Sequence, residues 1–230
     1  KAYIDAGARV DDTDEQGLTP LMVIAGFNQN PLPLLKLFLD KGANINIQNS
    51  LGNTALVYAV KNRTDINIIA FMLKQKADIN LLNKKGETAL HIAARYNTNE
   101  RIIKALTEEK GVMLEAKDSQ GNTPLILSAY NDNHLVVNVL LQGGADIKAK
   151  NVYKQTGLDI AAQFNKNPKV ALTFLSLMPT VEDPKHIIEL AAKNPNPEVK
   201  TSVEEMMPYK ASSSASSASS TSVNMWYASD

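Results

Sequence analysis

Histidine is the side chain best suited to acid–base or metal chemistry near neutral pH. This chain has three, at positions 91, 134 and 186. No two of them share the short spacing of metal ligands, and the sequence has no cysteine to complete a set. The neighbouring acids Glu108-Glu109 and Glu204-Glu205 fall on or beside predicted helix ends and read as solvated faces. There is no Gly-Lys-Ser/Thr phosphate loop and no Gly-x-Ser-x-Gly nucleophile elbow. Asn62-Arg63-Thr64 matches the glycosylation acceptor, a tripeptide that arises often by chance. The expectation is a protein without catalytic residues, cofactor or metal, and not an enzyme.

The elements that hold these residues recur at a fixed period. Thr19-Pro20-Leu21, Thr54-Ala55-Leu56, Thr88-Ala89-Leu90, Thr123-Pro124-Leu125 and Thr156-Gly157-Leu158 are spaced by 35, 34, 35 and 33 residues. A period in this range marks one supersecondary unit stacked on copies of itself. Ahead of each of the first four threonines, Asp or Asn stands first and Gly fourth in a turn, as in Asn83-Lys84-Lys85-Gly86. Each threonine has N-cap chemistry, and Pro20 and Pro124 suit the first helical position. First helices are predicted over 21–27, 56–62, 90–96, 125–131 and 158–164. Second helices carry apolar stripes such as Leu135, Val136, Val139, Leu140 and Leu141. They stop at Gly7-Ala8, Gly42-Ala43, Lys76-Ala77, Gly111-Val112 and Gly144-Ala145, where Gly enters the left-handed region freely and Lys76 does not.

Turn, helix, helix, Gly-Ala step and extended return resemble the ankyrin repeat family over roughly residues 1–178. The third repeat, Gly86-Glu87-Thr88-Ala89-Leu90-His91-Ile92-Ala93-Ala94, is the nearest to that pattern. The fifth departs most, with Lys154 in the Gly register and Gly157 in the Pro register. The resemblance implies an all-α ankyrin-repeat solenoid with short β-hairpin-like turns and a C-terminal helical cap. Residues 1–179 would be repeats: a partial unit 1–13, then full units at about 14–48, 49–82, 83–117, 118–150 and 151–179. His91 would hydrogen-bond near the Thr88 cap.

The resemblance also implies recognition of another protein or peptide on a concave face, through hairpin tips and first-helix ends. Tip positions are Glu15, Gln16, Leu18; Ser50, Leu51, Asn53; Lys84, Lys85, Glu87; Ser119, Gln120, Asn122; and Val152, Tyr153, Gln155. Helix-end positions are Phe27; Lys61, Asn62; Arg95, Tyr96; Tyr130, Asn131; and Gln163, Phe164. Aromatics make up only 6% of the chain, yet four of five helix ends carry one. The residues expected to touch the partner are Phe27, Leu51, Lys84, Lys85, Arg95, Tyr96, Gln120, Tyr130, Asn131, Tyr153 and Phe164. An inhibitor or immunity-type role on a partner enzyme is the narrower form. A targeting domain cut from a longer enzyme is the competing one.

From Thr180 the threonine period stops. Asp183-Pro184 and Pro197-Glu198 each open a predicted helix, the second ending near Met206-Met207, and the pair over 180–208 reads as a cap. Residues 209–230 form a Ser/Ala-rich tail. Its Trp226 is the expected anchor if the tail docks on a repeat groove, and an appendage is the alternative. Lys plus Arg and Asp plus Glu number 24 each, which points away from nucleic acid. No stretch approaches the ~20 apolar residues of a membrane span. Ala2 to Ala6 read as the end of a second helix, so an N-terminal cap and any signal peptide would lie upstream. The compartment stays open, with a soluble, cytoplasmic place first and periplasmic or secreted ones still compatible.

Overall fold

The computed structural model describes residues 9–62 and 65–211. The helix end over 2–6, the Gly7-Ala8 step, Arg63, Thr64 and residues 212–230 of the tail, with Trp226, lie outside the described residues. Among the described residues there are twelve helices and no strand. They come in pairs: α1 (Pro20–Phe27) with α2 (Pro31–Asp40), α3 (Ala55–Asn62) with α4 (Ile66–Lys74), and α5 (Ala89–Tyr96) with α6 (Glu100–Thr107). Then follow α7 (Pro124–Ser128) with α8 (His134–Gln142), α9 (Gly157–Phe164) with α10 (Pro168–Leu177), and α11 (Pro184–Ala191) with α12 (Pro197–Ala211).

Each first helix packs on the next first helix, from α1 through α3, α5, α7 and α9 to α11. The second helices form a parallel row from α4 through α6, α8 and α10 to α12. Between the rows runs one continuous apolar core, including Leu56, Leu90, Leu125, Leu140 and Phe174. All-α architecture is therefore what the chain has.

Local chemistry sets each boundary. The hydroxyls of Thr19, Thr54, Thr88, Thr123 and Thr156 accept from the backbone N–H three residues on, at the start of a first helix. Asp65, Asn99, Asn133, Asn167 and Asn196 do the same for second helices, accepting from the N–H two residues on. α7 ends at Ser128, three residues before the predicted end. The Ser128 hydroxyl donates to Leu125 O at 2.7 Å, and Tyr130 and Asn131 close 3₁₀-type bonds behind it. α12 runs to Ala211, past its predicted end, with Pro208 inside it.

Lys76 ends α4 with φ 61°, so the left-handed step is kept without Gly. A Cβ at Gly42, Gly111 or Gly144, the same register, would meet nothing within 4 Å. A side chain there costs backbone strain alone.

Candidate functional site

Five turns make a rigid edge. The side-chain oxygens of Asp14, Asn49, Asn83, Asp118 and Asn151 each accept from the backbone N–H groups two and four residues on. Successive turns then bond to one another: Ser50 N to Gln16 O, Lys84 N to Leu51 O, Ser119 N to Lys85 O and Val152 N to Gln120 O, at 2.8–3.1 Å. With backbone polarity satisfied internally, the side chains at the tips are left to solvent. Leu51, Lys84, Lys85, Gln120 and Tyr153 are all exposed, as are Glu15, Gln16, Ser50, Ser119 and Val152.

The last tip position of each turn behaves differently from expectation. Glu87 and Asn122 are buried, while Leu18, Asn53 and Gln155 are half-buried. Asn83 Nδ2 donates to Asn53 Oδ1 and to Glu87 Oε2, and Asn151 Nδ2 donates to Asn122 Oδ1. Leu18 packs on the core. Such groups tie one turn to the next, so they present little to a partner.

The second strip lies at the far ends of the first helices, about 12 Å along the helix from the caps. Phe27, Tyr96, Tyr130 and Phe164 are 40–60 % exposed. The structure joins most of them. Tyr130 and Phe164 stack with ring centroids 6.3 Å apart. The Arg95 guanidinium lies 4.9 Å from the Tyr130 centroid and 5.5 Å from that of Tyr96. Lys61 Nζ reaches the other neighbour, 5.2 Å from the Tyr96 centroid. A cation over an aromatic face is attracted by the ring quadrupole, here at sites open to solvent. The row Lys61–Tyr96–Arg95–Tyr130–Phe164 thus crosses repeats two to five. Phe27 pairs instead with Tyr58 at 5.9 Å. Tyr58 was not among the expected positions. It sits mid-helix rather than at the helix end, and its hydroxyl accepts from Asn49 Nδ2 at 2.9 Å.

Asn131 does not belong to this surface. It is 3 % exposed, and its Nδ2 donates to Ala94 O and Asn97 O of the preceding repeat. Asn97 donates to Val60 O, Asn165 to Ala129 O and Asn131 O, and Asn194 to Ala162 O and Asn165 O. The last carbonyls of a helix lack intrahelical partners. In this stack the asparagine of the following repeat supplies the donor. The series reaches Asn194, so α11 and α12 continue the register although the threonine period has stopped. The signal was present as Asn-x-Asn at 97–99, 131–133, 165–167 and 194–196.

His91 is fully buried. Its Nδ1 accepts from Thr88 N at 3.1 Å, which places the ring proton on Nε2, facing Asn122 O at 3.1 Å in the next repeat. Burial lowers its pKa below 6.5, opposed in part by the Asn122 bond and by Asp118 and Glu87. Among the described residues no group of three His, Cys, Asp or Glu could hold a metal ion. Among them, too, no helix is long and apolar enough to cross a membrane.

A family profile for ankyrin repeats in three copies matches residues 1–83 and 63–151. The chain belongs to the ankyrin repeat family. It is similar to an ankyrin repeat protein of fowlpox virus (strain NVSL), 42% identical over 53 residues. That match covers 23% of this chain and 27% of the relative, so the chain spans about a quarter of the relative's length. Ankyrin repeats are, as a family, protein–protein interaction modules.

Proposed function

We propose that this chain is a non-enzymatic module that holds another protein on its concave face, through the turn tips and the aromatic row. The observation that carries this is the connected row of exposed rings and cations on a scaffold whose backbone polarity is satisfied internally. Tyr and Arg are the side chains most enriched in binding hot spots. The full repeats are taken as 14–48, 49–82, 83–117, 118–150 and 151–179, with 180–208 as the terminal cap. Blocking a partner enzyme is the narrower form of this reading, and targeting within a longer enzyme is the alternative. Assaying a captured partner's activity with and without this chain separates the two.

The test is affinity capture with the wild-type chain and with a Tyr96→Ala/Tyr130→Ala variant. A partner held through this row is lost with the variant, each substitution costing about 2 kcal/mol or more, roughly 30-fold. Lys104→Ala, on a second helix, leaves capture within about threefold. Equal capture by both variants would move the site elsewhere.

A further inference from the structure

The chain is neutral as a whole, with 24 basic and 24 acidic residues, yet the open side chains of its two candidate strips lean basic. Across repeats two to five the exposed or half-exposed tip and helix-end charges are Lys61, Lys84, Lys85, Arg95 and Lys154. The carboxylates near these registers are hydrogen-bonded within the fold, which leaves their charge in place but turns their oxygens toward the chain's own donors. Asp118 accepts from Gln120 N, Asn122 N and Asn122 Nδ2. Glu87 is buried against Asn83. Asp159 is buried in the cap of α9, where it accepts from Thr156 N and Oγ1. Glu15, on the first tip, and Asp132, two residues past Tyr130, are exposed exceptions. The second helices and returns carry both signs, as in the pair Lys104–Glu108. The side chains free to bond outward at these registers are thus mostly basic.

Resting on the reading above, we propose that the face takes an extended acidic segment of a partner protein. One Asp or Glu side chain would sit on Arg95 and others near the Lys84-Lys85 tip. Apolar side chains between them would lie on Tyr96, Tyr130 and Phe164. Among the described residues Arg95 has ring partners but no carboxylate partner. Its planar fork matches a carboxylate two bonds at a time, and two flanking rings hold it in place. Repeats stack about 10 Å apart, so repeats two to five span about 30 Å, the length of about nine extended residues at ~3.3 Å each.

Nucleic acid also combines charge with stacking, and the structure favours it less. A base needs a whole ring face, and Tyr96 and Tyr130 share theirs with Lys61 or Arg95, whereas an aliphatic side chain packs against the part of a ring left open. The exposed aliphatic groups Leu51 and Val152 at the tips suit side chains rather than bases.

The experiment pans a displayed random peptide library of about ten residues on the full chain and on Tyr96→Ala/Tyr130→Ala. The winning peptide, and oligothymidine of similar length, are then titrated into the wild type, Arg95→Gln and Arg95→Lys. Tyrosine-dependent peptides enriched in Asp and Glu are expected. Arg95→Gln should weaken the winner by about 10-fold or more and Arg95→Lys by less. Arg95→Glu should bind a Lys-substituted winner better than the original, which guards against a variant that merely unfolds. Tyrosine-dependent winners without acidic enrichment would overturn this inference and leave the binding face standing. Winners indifferent to the tyrosines, or no winners, would remove both. Oligothymidine bound through Arg95 in preference to the peptides would replace the acidic segment with nucleic acid.

Discussion

The third and fifth repeats solve the same geometry with different residues. In the third, Gly86 occupies the turn with φ 74°, and a Cβ there would lie 3.1 Å from Ser119 N of the next turn. In the fifth, Lys154 takes that place at φ 62°. The turn itself is unchanged: Asn151 Oδ1 accepts from Tyr153 N and Gln155 N as its counterparts do. Glycine is therefore demanded at this register twice over, by φ and by the next turn. No turn of the same kind follows the fifth, so only the φ requirement remains there. Helix caps differ in the same manner. His91 closes the third repeat's capping box and reaches Asn122 O in the next repeat. Asp159 closes the fifth's, and its other oxygen lies 3.4 Å from His186 Nε2 on α11. A neutral ring and a carboxylate thus perform one task, bracing the cap and reaching forward.

The largest test of this comparison lies in the core. Leu90→Ala in the third repeat should lose about 2–5 kcal/mol, as buried leucine truncations do. Because neighbours carry the stability, urea unfolding followed by circular dichroism should divide into two steps. Leu158→Ala, near the end of the stack, should instead release the last units early and leave the rest intact. Superimposable curves for the two variants would mean that the repeats are not energetically distinct.

Next in size is the fit between Gly157 and Phe174. Positions 72, 106 and 140 hold Met, Leu and Leu where the fifth repeat holds Phe174. A Cβ on Gly157 would come within 2.6 Å of that ring. Gly157→Ala should cost about 1–3 kcal/mol by overpacking, and adding Phe174→Leu should recover most of it. Failure of the second change to rescue the first would separate the two residues.

One buried and one half-buried histidine give the stack a response to acid. Burial lowers the His91 pKa from 6.5, and burial and then Lys169 lower that of His134. A base that is harder to protonate when folded adds stability that is complete above the unfolded value. That stability falls away as pH drops below about 6.5 toward the folded value. Denaturation midpoints should decline over this window. His91→Met, the residue found at position 22 of the same register, should flatten part of the slope and leave the share due to His134. An unaltered slope would show that His91 does not supply it.

The smallest effect belongs to the turn. Lys154→Gly should gain about 0.5–1 kcal/mol, relief of the left-handed strain less the added freedom of the unfolded chain. Thermal unfolding at neutral pH measures it. A loss would mean that the Lys154 side chain makes up for its backbone.

Much of this was legible in the sequence because local rules write it down. Threonine caps, Asx turns and Gly-Ala steps each need particular residues within four positions, so their period shows directly. The aromatic register at 27, 96, 130 and 164 was equally plain. What was hidden depends on neighbours. Asn131 looks like a polar helix end; only the stack shows that its amide is buried under two carbonyls. Glu87 and Asn122 read as tip residues until the adjoining turn encloses them. The basic bias of the open tip and helix-end side chains cannot appear in a composition that sums to zero. Lys61 and Arg95 are found over the same ring only once two repeats are placed side by side.

The asparagine series also has a direction. Every amide in it points back: Asn97 to Val60, Asn131 to Ala94 and Asn97, Asn165 to Ala129 and Asn131, Asn194 to Ala162 and Asn165. Each repeat is finished by its successor. A chain emerging from the ribosome amino end first therefore always trails one unit whose helix end still waits for its donors. Synthesis and sealing proceed in step, one repeat behind.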